Sequence, residues 1–155
     1  MISFRSIVSG SSGNSALFSC NHTNILIDCG ISGKQLTAYL NDMGLHPSDL
    51  DGVFITHEHI DHTRGAGVLA RSFRVPVIAS QGTLDAMNVG TLPHTIVLDG
   101  YAPVQIGDVT IHPFPIPHDA AQPTGCRLEA GGKSVVVATD MGHITDAVRR
   151  AAAGC

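Results

Sequence analysis

Basic residues are scarce in this chain. Only nine of its 155 residues are Lys or Arg, and the formal net charge is −4. So few cations cannot build the broad basic face that dominates nonspecific nucleic-acid binding. That weakens a nucleic-acid reading without excluding it, because a bound metal ion can hold phosphates by its own charge. Long apolar runs are also missing, since none approaches the ~18 residues that a membrane span needs. The opening Met1-Ile2-Ser3-Phe4-Arg5 lacks the charged segment and apolar stretch of a secretion signal. The four cysteines, Cys20, Cys29, Cys126 and Cys155, lie far apart and form no C-x-x-C pair. Reduced, mostly buried thiols of a cytoplasmic protein are the expectation, with a cysteine-based metal site or a disulfide framework as alternatives. Low-complexity tracts, internal repeats and linkers are absent, so residues 1–155 read as one domain. Its 43% hydrophobic content suits a soluble globular protein with a real core.

What the chain does have is a succession of short apolar runs rich in β-branched residues. They predict strands at Ile2–Val8, Ala16–Cys20, Asn24–Asp28, Gly52–Thr56, Val75–Ala79, Thr95–Leu98, Val109–Phe114, Cys126–Glu129 and Ser134–Thr139. Helical patterns fall between some of them. Ser32 can cap a helix running to about Met43, which Gly44 ends. Thr63–Phe73 and Gly82–Asn88 predict two further helices. Thr145–Ala153 predicts the last, with Thr145 as its cap and Asp146 near its positive end. The early strands crowd at hairpin spacing, and strands and helices then alternate. The fold class expected is α/β, a sandwich in which helices cover a mixed sheet.

The chemistry concentrates in Thr56-His57-Glu58-His59-Ile60-Asp61-His62, directly after a predicted strand. Three imidazoles and a carboxylate within six residues can converge on one point where a strand ends. Imidazole nitrogen and carboxylate oxygen suit zinc, and also manganese or iron. An H-x-H-x-D-H pattern should arise by chance in roughly 2 of 1,000 chains of this composition. A solvated polar loop or an unrelated surface cluster is the competing reading. An expression tag is a third alternative, one that the internal position between patterned elements disfavours.

This motif resembles the signature of the metallo-β-lactamase superfamily, and the rest of the chain follows in order. Pro117-His118-Asp119 stands where the family places a later histidine ligand. Ala138-Thr139-Asp140-Met141-Gly142 ends a strand where the family places a bridging aspartate. The opening Ser9-Gly10-Ser11-Ser12-Gly13-Asn14-Ser15, the segment Leu26-Ile27-Asp28-Cys29-Gly30 and Pro117-His118-Asp119-Ala120 resemble the WalJ/YycJ branch, described as 5′→3′ exonucleases of bacteria. The resemblance implies an αββα sandwich and a site for two divalent metal ions, zinc foremost and manganese as the alternative. It implies His57, His59 and His118 as ligands of the first ion. Asp61 and His62 serve the second, and Asp140 bridges the two. Two such ions about 3.5–4 Å apart can share and activate a water. Asp61 could also accept or orient the proton of that water, as the catalytic carboxylate. Asp28 is implied as a group that hydrogen-bonds the ligand loop and fixes its orientation, against the plainer reading of a strand-end turn residue. Ser11, Ser12 and Asn14 could approach a substrate phosphate, although Gly/Ser turns are common. His143 could contact substrate or replace a metal ligand, or be an exposed histidine capping the next helix.

The sequence departs from the family pattern after its last predicted helix. Relatives continue into strands that complete a second half and deliver a last histidine to the second metal, whereas no histidine follows His143 here. The expectation is an N-terminal portion of the fold, with the second half incomplete and the second metal short of one ligand. Three functions remain open. One is a metal-dependent phosphodiesterase acting on DNA as an exonuclease. The second is a hydrolase of thioesters, lactams or other small molecules on the same fold and metals. The third is an inactive metal-binding remnant that self-associates or needs a partner to cover the incomplete half.

Overall fold

The computed structural model describes residues 1–155, and their apolar runs pair into two sheets. The first begins as an antiparallel meander of β1 (Ile2–Val8), β2 (Ser15–Cys20) and β3 (Thr23–Ile27). Asn21 makes the β2–β3 turn at φ 54°, a left-handed conformation that asparagine tolerates. From β3 onward each neighbour is parallel: β4 (Gly52–Phe54), β5 (Val77–Ala79) and β6 (Thr95–Val97) complete the order β1-β2-β3-β4-β5-β6. Parallel neighbours need crossovers, supplied here by helices α1 (Gly33–Asp42), α2 (Ile60–Thr63), α3 (Ala66–Phe73) and α4 (Gln81–Ala86). The second sheet is antiparallel throughout: β7 (Val104–Ile106), β8 (Val109–Pro115), β9 (Thr124–Ala130) and β10 (Lys133–Val137), ordered β10-β9-β8-β7. Helix α5 (Asp146–Ala152) packs against β8, β9 and β10.

The period-2 alternation of strands decides the layering. Leu26, Val53 and Val77 face a core shared with Leu36 and Leu40 of α1 and Leu69 of α3. Their chain neighbours Ile25, Ile27, Phe54 and Ile78 face the opposite way, into a core shared with Val109, Ile111, Cys126 and Leu128 of the second sheet. Every residue of β3 is therefore buried. The result is an αββα sandwich of the metallo-β-lactamase type, the fold class that the sequence implies. No helix is long and apolar enough to cross a membrane.

Three local departures have physical causes. The helix expected over Thr63–Phe73 is split into α2 and α3 at Arg64-Gly65, because Gly65 packs onto the backbone before α1. A Cβ there would overlap the Ile31 carbonyl oxygen, and the Gly65 N–H donates to Cys29 O at 2.9 Å. Strand β7, three residues long after Pro103, carries too short a pattern to be read from sequence. The strands expected at Gly52–Thr56 and Ser134–Thr139 stop at Phe54 and Val137. The residues beyond leave the ladder to form the walls of the site.

Candidate metal centre

β8 and β10 both lie antiparallel to β9, so their C-terminal ends share one edge of the sandwich. β3 and β4 are parallel and also point one way. The loops leaving these four strands carry Asp28, His57–His62, His118 and Asp140. The site thus forms at the carboxyl ends of strands, where open α/β sheets leave a crevice.

His57 and His62 are fully buried, and their rings lie 4.1 Å apart between centroids. The His57 ring is also edge-on to His59 at 4.7 Å and to His118 at 4.5 Å, which makes it the hub of four imidazoles. His118 Nε2 stands 3.3 Å from His59 Nδ1. Asp140 Oδ2 lies 2.7 Å from His62 Nε2 and 3.4 Å from His57 Nε2. Asp61 Oδ2 lies 3.4 Å from His62 Nε2. Two groups of donor atoms each fall within 4.8 Å of one another: His57, His59 and His118, and His57, His62 and Asp140.

Behind them sits Asp28, only 2% exposed and held at φ 59° where β3 ends. Its carboxylate accepts from the Thr56 N–H at 2.8 Å, from the Thr56 hydroxyl at 2.9 Å and from His62 Nδ1 at 2.7 Å. Burial pushes the Asp28 carboxyl up, opposed by its bonds to His62 and Thr56. Burial pushes His62 down, but the Asp28 hydrogen bond, with the charges of Asp28, Asp61 and Asp140, carries it above its usual value. His57 has no such carboxylate partner. Burial, then the neighbouring imidazoles, hold it down at about 3, so it is neutral at physiological pH.

These residues fit a metal. His57 Nε2 is buried without a hydrogen-bond partner, an arrangement that costs free energy unless something satisfies it. It faces imidazole nitrogens and a carboxylate oxygen, the donor set of zinc and related ions.

Around this cluster the other sequence candidates separate. Ser9, Gly10, Ser11, Asn14, Asp61, Thr139 and Asp140 line a cavity of about 480 Å³ that has no hydrophobic residue in its wall. Ser12 is exposed and outside that lining. Asn14 turns its amide inward: Oδ1 accepts from Gly10 N–H at 3.2 Å, while Nδ2 donates to Gly10 O at 2.8 Å and reaches Asp61 Oδ2 at 3.3 Å. The asparagine is therefore a clamp between the glycine-serine loop and Asp61. Gly30 explains the tightness of this corner, since a Cβ there would overlap the Asp61 carbonyl. His143 is exposed on the loop before α5 and joins neither donor group, and the cap of α5 is Thr145.

Two residues without a role in the sequence reading emerge. Thr56 joins Asp28 to His57, with its hydroxyl 2.9 Å from His57 Nδ1. Glu58 Oε1 accepts from the Ala121 N–H at 2.8 Å, which ties the loop of His118 to the loop of His57 and His59. Only their positions inside the motif could have signalled them.

Comparison with known proteins agrees with this architecture. The profile of the beta-lactamase superfamily domain matches residues 23–155. Exodeoxyribonuclease WalJ of Streptococcus pneumoniae is 36% identical over 146 residues, which cover 90% of this chain and 54% of that protein. Exodeoxyribonuclease YycJ of Bacillus anthracis is 32% identical over 150 residues, covering 94% and 57%. The chain spans about half the length of the curated relatives it matches. Among solved structures, the metallo-beta-lactamase fold protein YhfI from Bacillus subtilis superposes with a TM-score of 0.71 at 20% identity, covering 88% of this chain and 58% of that one. A B3 metallo-beta-lactamase with an active-site glutamic acid gives 0.70 at 21%, covering 83% and 57%. With its profile match over residues 23–155 and its αββα architecture, the chain belongs to the beta-lactamase superfamily and carries the metallo-β-lactamase fold.

Proposed function

We propose that the protein is a metal-dependent phosphodiesterase that shortens DNA from a 5′ end. The observation that carries this reading is the cavity beside the histidine–aspartate cluster, which has serine, glycine, asparagine and aspartate walls and no apolar residue. A thioester acyl chain or a lactam ring would gain little there, because such ligands draw their affinity from apolar burial. A phosphodiester finds hydroxyls and backbone groups instead. The similarity to two exodeoxyribonucleases over nine-tenths of the chain supports DNA as the substrate, and the 5′→3′ direction rests on the sequence resemblance to the WalJ/YycJ branch alone.

In this reading His57, His59 and His118 hold one divalent ion, zinc or manganese. Asp61 and His62 would hold a second, and Asp140, 2.7 Å from His62 Nε2 and 3.4 Å from His57 Nε2, would contribute to the same centre. The ions supply Lewis acidity, lowering the pKa of water and drawing charge from the phosphate. The chain does the rest. Asp61, at the rim of the cavity, would accept or orient the proton of the attacking water, with Asn14 Nδ2 bonded to its carboxylate. Ser9 and Ser11 line the phosphate side. With only nine basic residues, affinity for DNA rests on the metal centre more than on a cationic surface.

The test is incubation with end-labelled duplex and single-stranded DNA plus zinc or manganese. Stepwise release of the 5′ label, abolished by a chelator, is the expected result. Hydrolysis of a thioester or β-lactam with intact DNA would overturn the reading.

A further inference from the structure

We infer that Thr56 is a positioning residue: its hydroxyl imposes the Nδ1–H tautomer on His57 and, through Asp28, couples the orientation of His57 to that of His62. The inference deepens the metal-site reading and rests on proton counting at one buried hydroxyl.

The Thr56 hydroxyl has one proton and two partners, Asp28 Oδ2 at 2.9 Å and His57 Nδ1 at 2.9 Å. With Asp28 ionised as the partner of His62, whose hydrogen bond opposes the effect of burial, the carboxylate can only accept. The proton of Thr56 therefore points at Asp28, and the hydroxyl oxygen must accept from His57, which places the proton of His57 on Nδ1. The alternative sends the hydroxyl proton to His57 and leaves His57 protonated on Nε2. That N–H would be buried with no acceptor, since Nε2 has no hydrogen-bond partner and Asp140 Oδ2 is 3.4 Å away. A buried donor left without a partner costs about 1–3 kcal/mol. Only the first arrangement leaves no buried donor unpaired, and it turns the Nε2 lone pair toward His59, His118 and Asp140.

The same carboxylate oxygen accepts from His62 Nδ1 at 2.7 Å, so His62 also presents Nε2. The Thr56 N–H on Asp28 Oδ1, at 2.8 Å, fixes the plane of the carboxylate. One aspartate thus sets two imidazoles, directly for His62 and through a threonine for His57. His57 belongs to both donor groups. A change at Thr56 should therefore weaken both, although its side chain reaches neither centre.

The test uses the metal-free protein labelled with ¹⁵N-histidine near neutral pH, where long-range proton–nitrogen correlation reports each ring's tautomer. Wild-type His57 should show a protonated Nδ1 and an unprotonated Nε2. Thr56→Val, close in shape but without the hydroxyl, should lose that preference and bind zinc roughly 10–100-fold more weakly, the range for losing a hydrogen bond behind a metal ligand. Thr56→Ser should keep both properties. A wild-type His57 protonated on Nε2 would overturn the inference, as would Thr56→Val with unchanged tautomer and affinity. The tautomer is read without metal, so it stands or falls independently of whether the site proves to bind ions. Wild type and Thr56→Ser decide the matter even if the valine variant does not fold.

Discussion

The two walls of the site are built differently. The wall from the first sheet holds His57, His62 and Asp28, all buried, with His62 bonded directly to Asp28 at 2.7 Å and His57 joined to it through Thr56 by two bonds of 2.9 Å. The wall from the second sheet holds His118, half-buried, and Asp140, whose side chain is 41% exposed at the end of a loop. Its ties to the opposite side run through loops: Ala121 N–H to Glu58, Thr124 N–H to Thr56 O at 2.8 Å, Gln122 to Ser80, Gly82 and Thr83 around the start of α4, and the contacts of Asp140 with His62 and of His118 with His59. One wall is set by folding, as part of the core. The other is set by bonds between loops and, in the proposed function, by the ions it would share with the first. Preorganisation of this kind places the expensive desolvation of imidazoles in the folding step and leaves the open wall free to admit substrate.

Breaking the buried wall should have the largest effect. Asp28→Ala leaves the Thr56 and His62 donors buried without an acceptor, and losing one partner of such a pair costs about 3–5 kcal/mol. Urea denaturation of the metal-free protein should show that loss, with Asp28→Asn intermediate. A loss below about 1 kcal/mol would mean that water replaces the carboxylate, and the wall would not be preorganised.

Acid should act on the same wall. His57 falls from the usual 6.5 in the unfolded chain to about 3 in the native one. Between those values the unfolded chain binds a proton that the native chain refuses, so His57 erodes stability as pH falls below 6.5. His62, raised by Asp28, works in the opposite sense, its contribution being fully present below its unfolded value and lost as pH rises through the folded one. The metal-free His57→Gln protein should therefore lose less stability than wild type between neutral pH and about pH 4. Parallel urea midpoints across that range would contradict the burial argument.

The open wall should respond more gently. Glu58→Ala removes the acceptor for Ala121, and amide exchange at Ala121 should accelerate roughly tenfold, equivalent to about 1.4 kcal/mol of local opening. Exchange spread over the whole domain instead would place Glu58 in the global fold. Asp140→Gly should be the mildest change in stability, within about 0.5 kcal/mol, because glycine suits the φ of 58° that Asp140 adopts. Its metal content should nevertheless fall. That separation of binding from stability is the mark of a wall made for binding alone.

The same contrast explains what could be read from the sequence. His57, His59, Asp61 and His62 were legible because one short loop carries them and periodicity plays no part. His118 and Asp140 came only through resemblance, since nothing local distinguishes a lone histidine after Pro117 from a solvated one. The sandwich was legible in its strand runs and in the Ser32 and Thr145 caps, both present in the structure. The Thr56 and Glu58 partnerships were not legible. They link residues 28 and 63 positions apart, and only tertiary packing makes such pairs. Asn14 looked like a substrate contact from its loop composition, and its side-chain bonds to Gly10 and Asp61 became visible only once the loop closed on α2.

The most direct test of the two-wall metal centre is calorimetric zinc titration of the wild-type, His57→Ala and His118→Ala proteins, with bound metal counted after dialysis. His57 belongs to both donor groups and His118 to one. Wild type should hold two ions, and His118→Ala and His57→Ala should each lose the ion assigned to His57, His59 and His118. His57→Ala, whose ring also lies within the His62–Asp140 group, should bind the second ion more weakly as well. A His57→Ala protein that retains the wild-type stoichiometry and affinity would contradict the account.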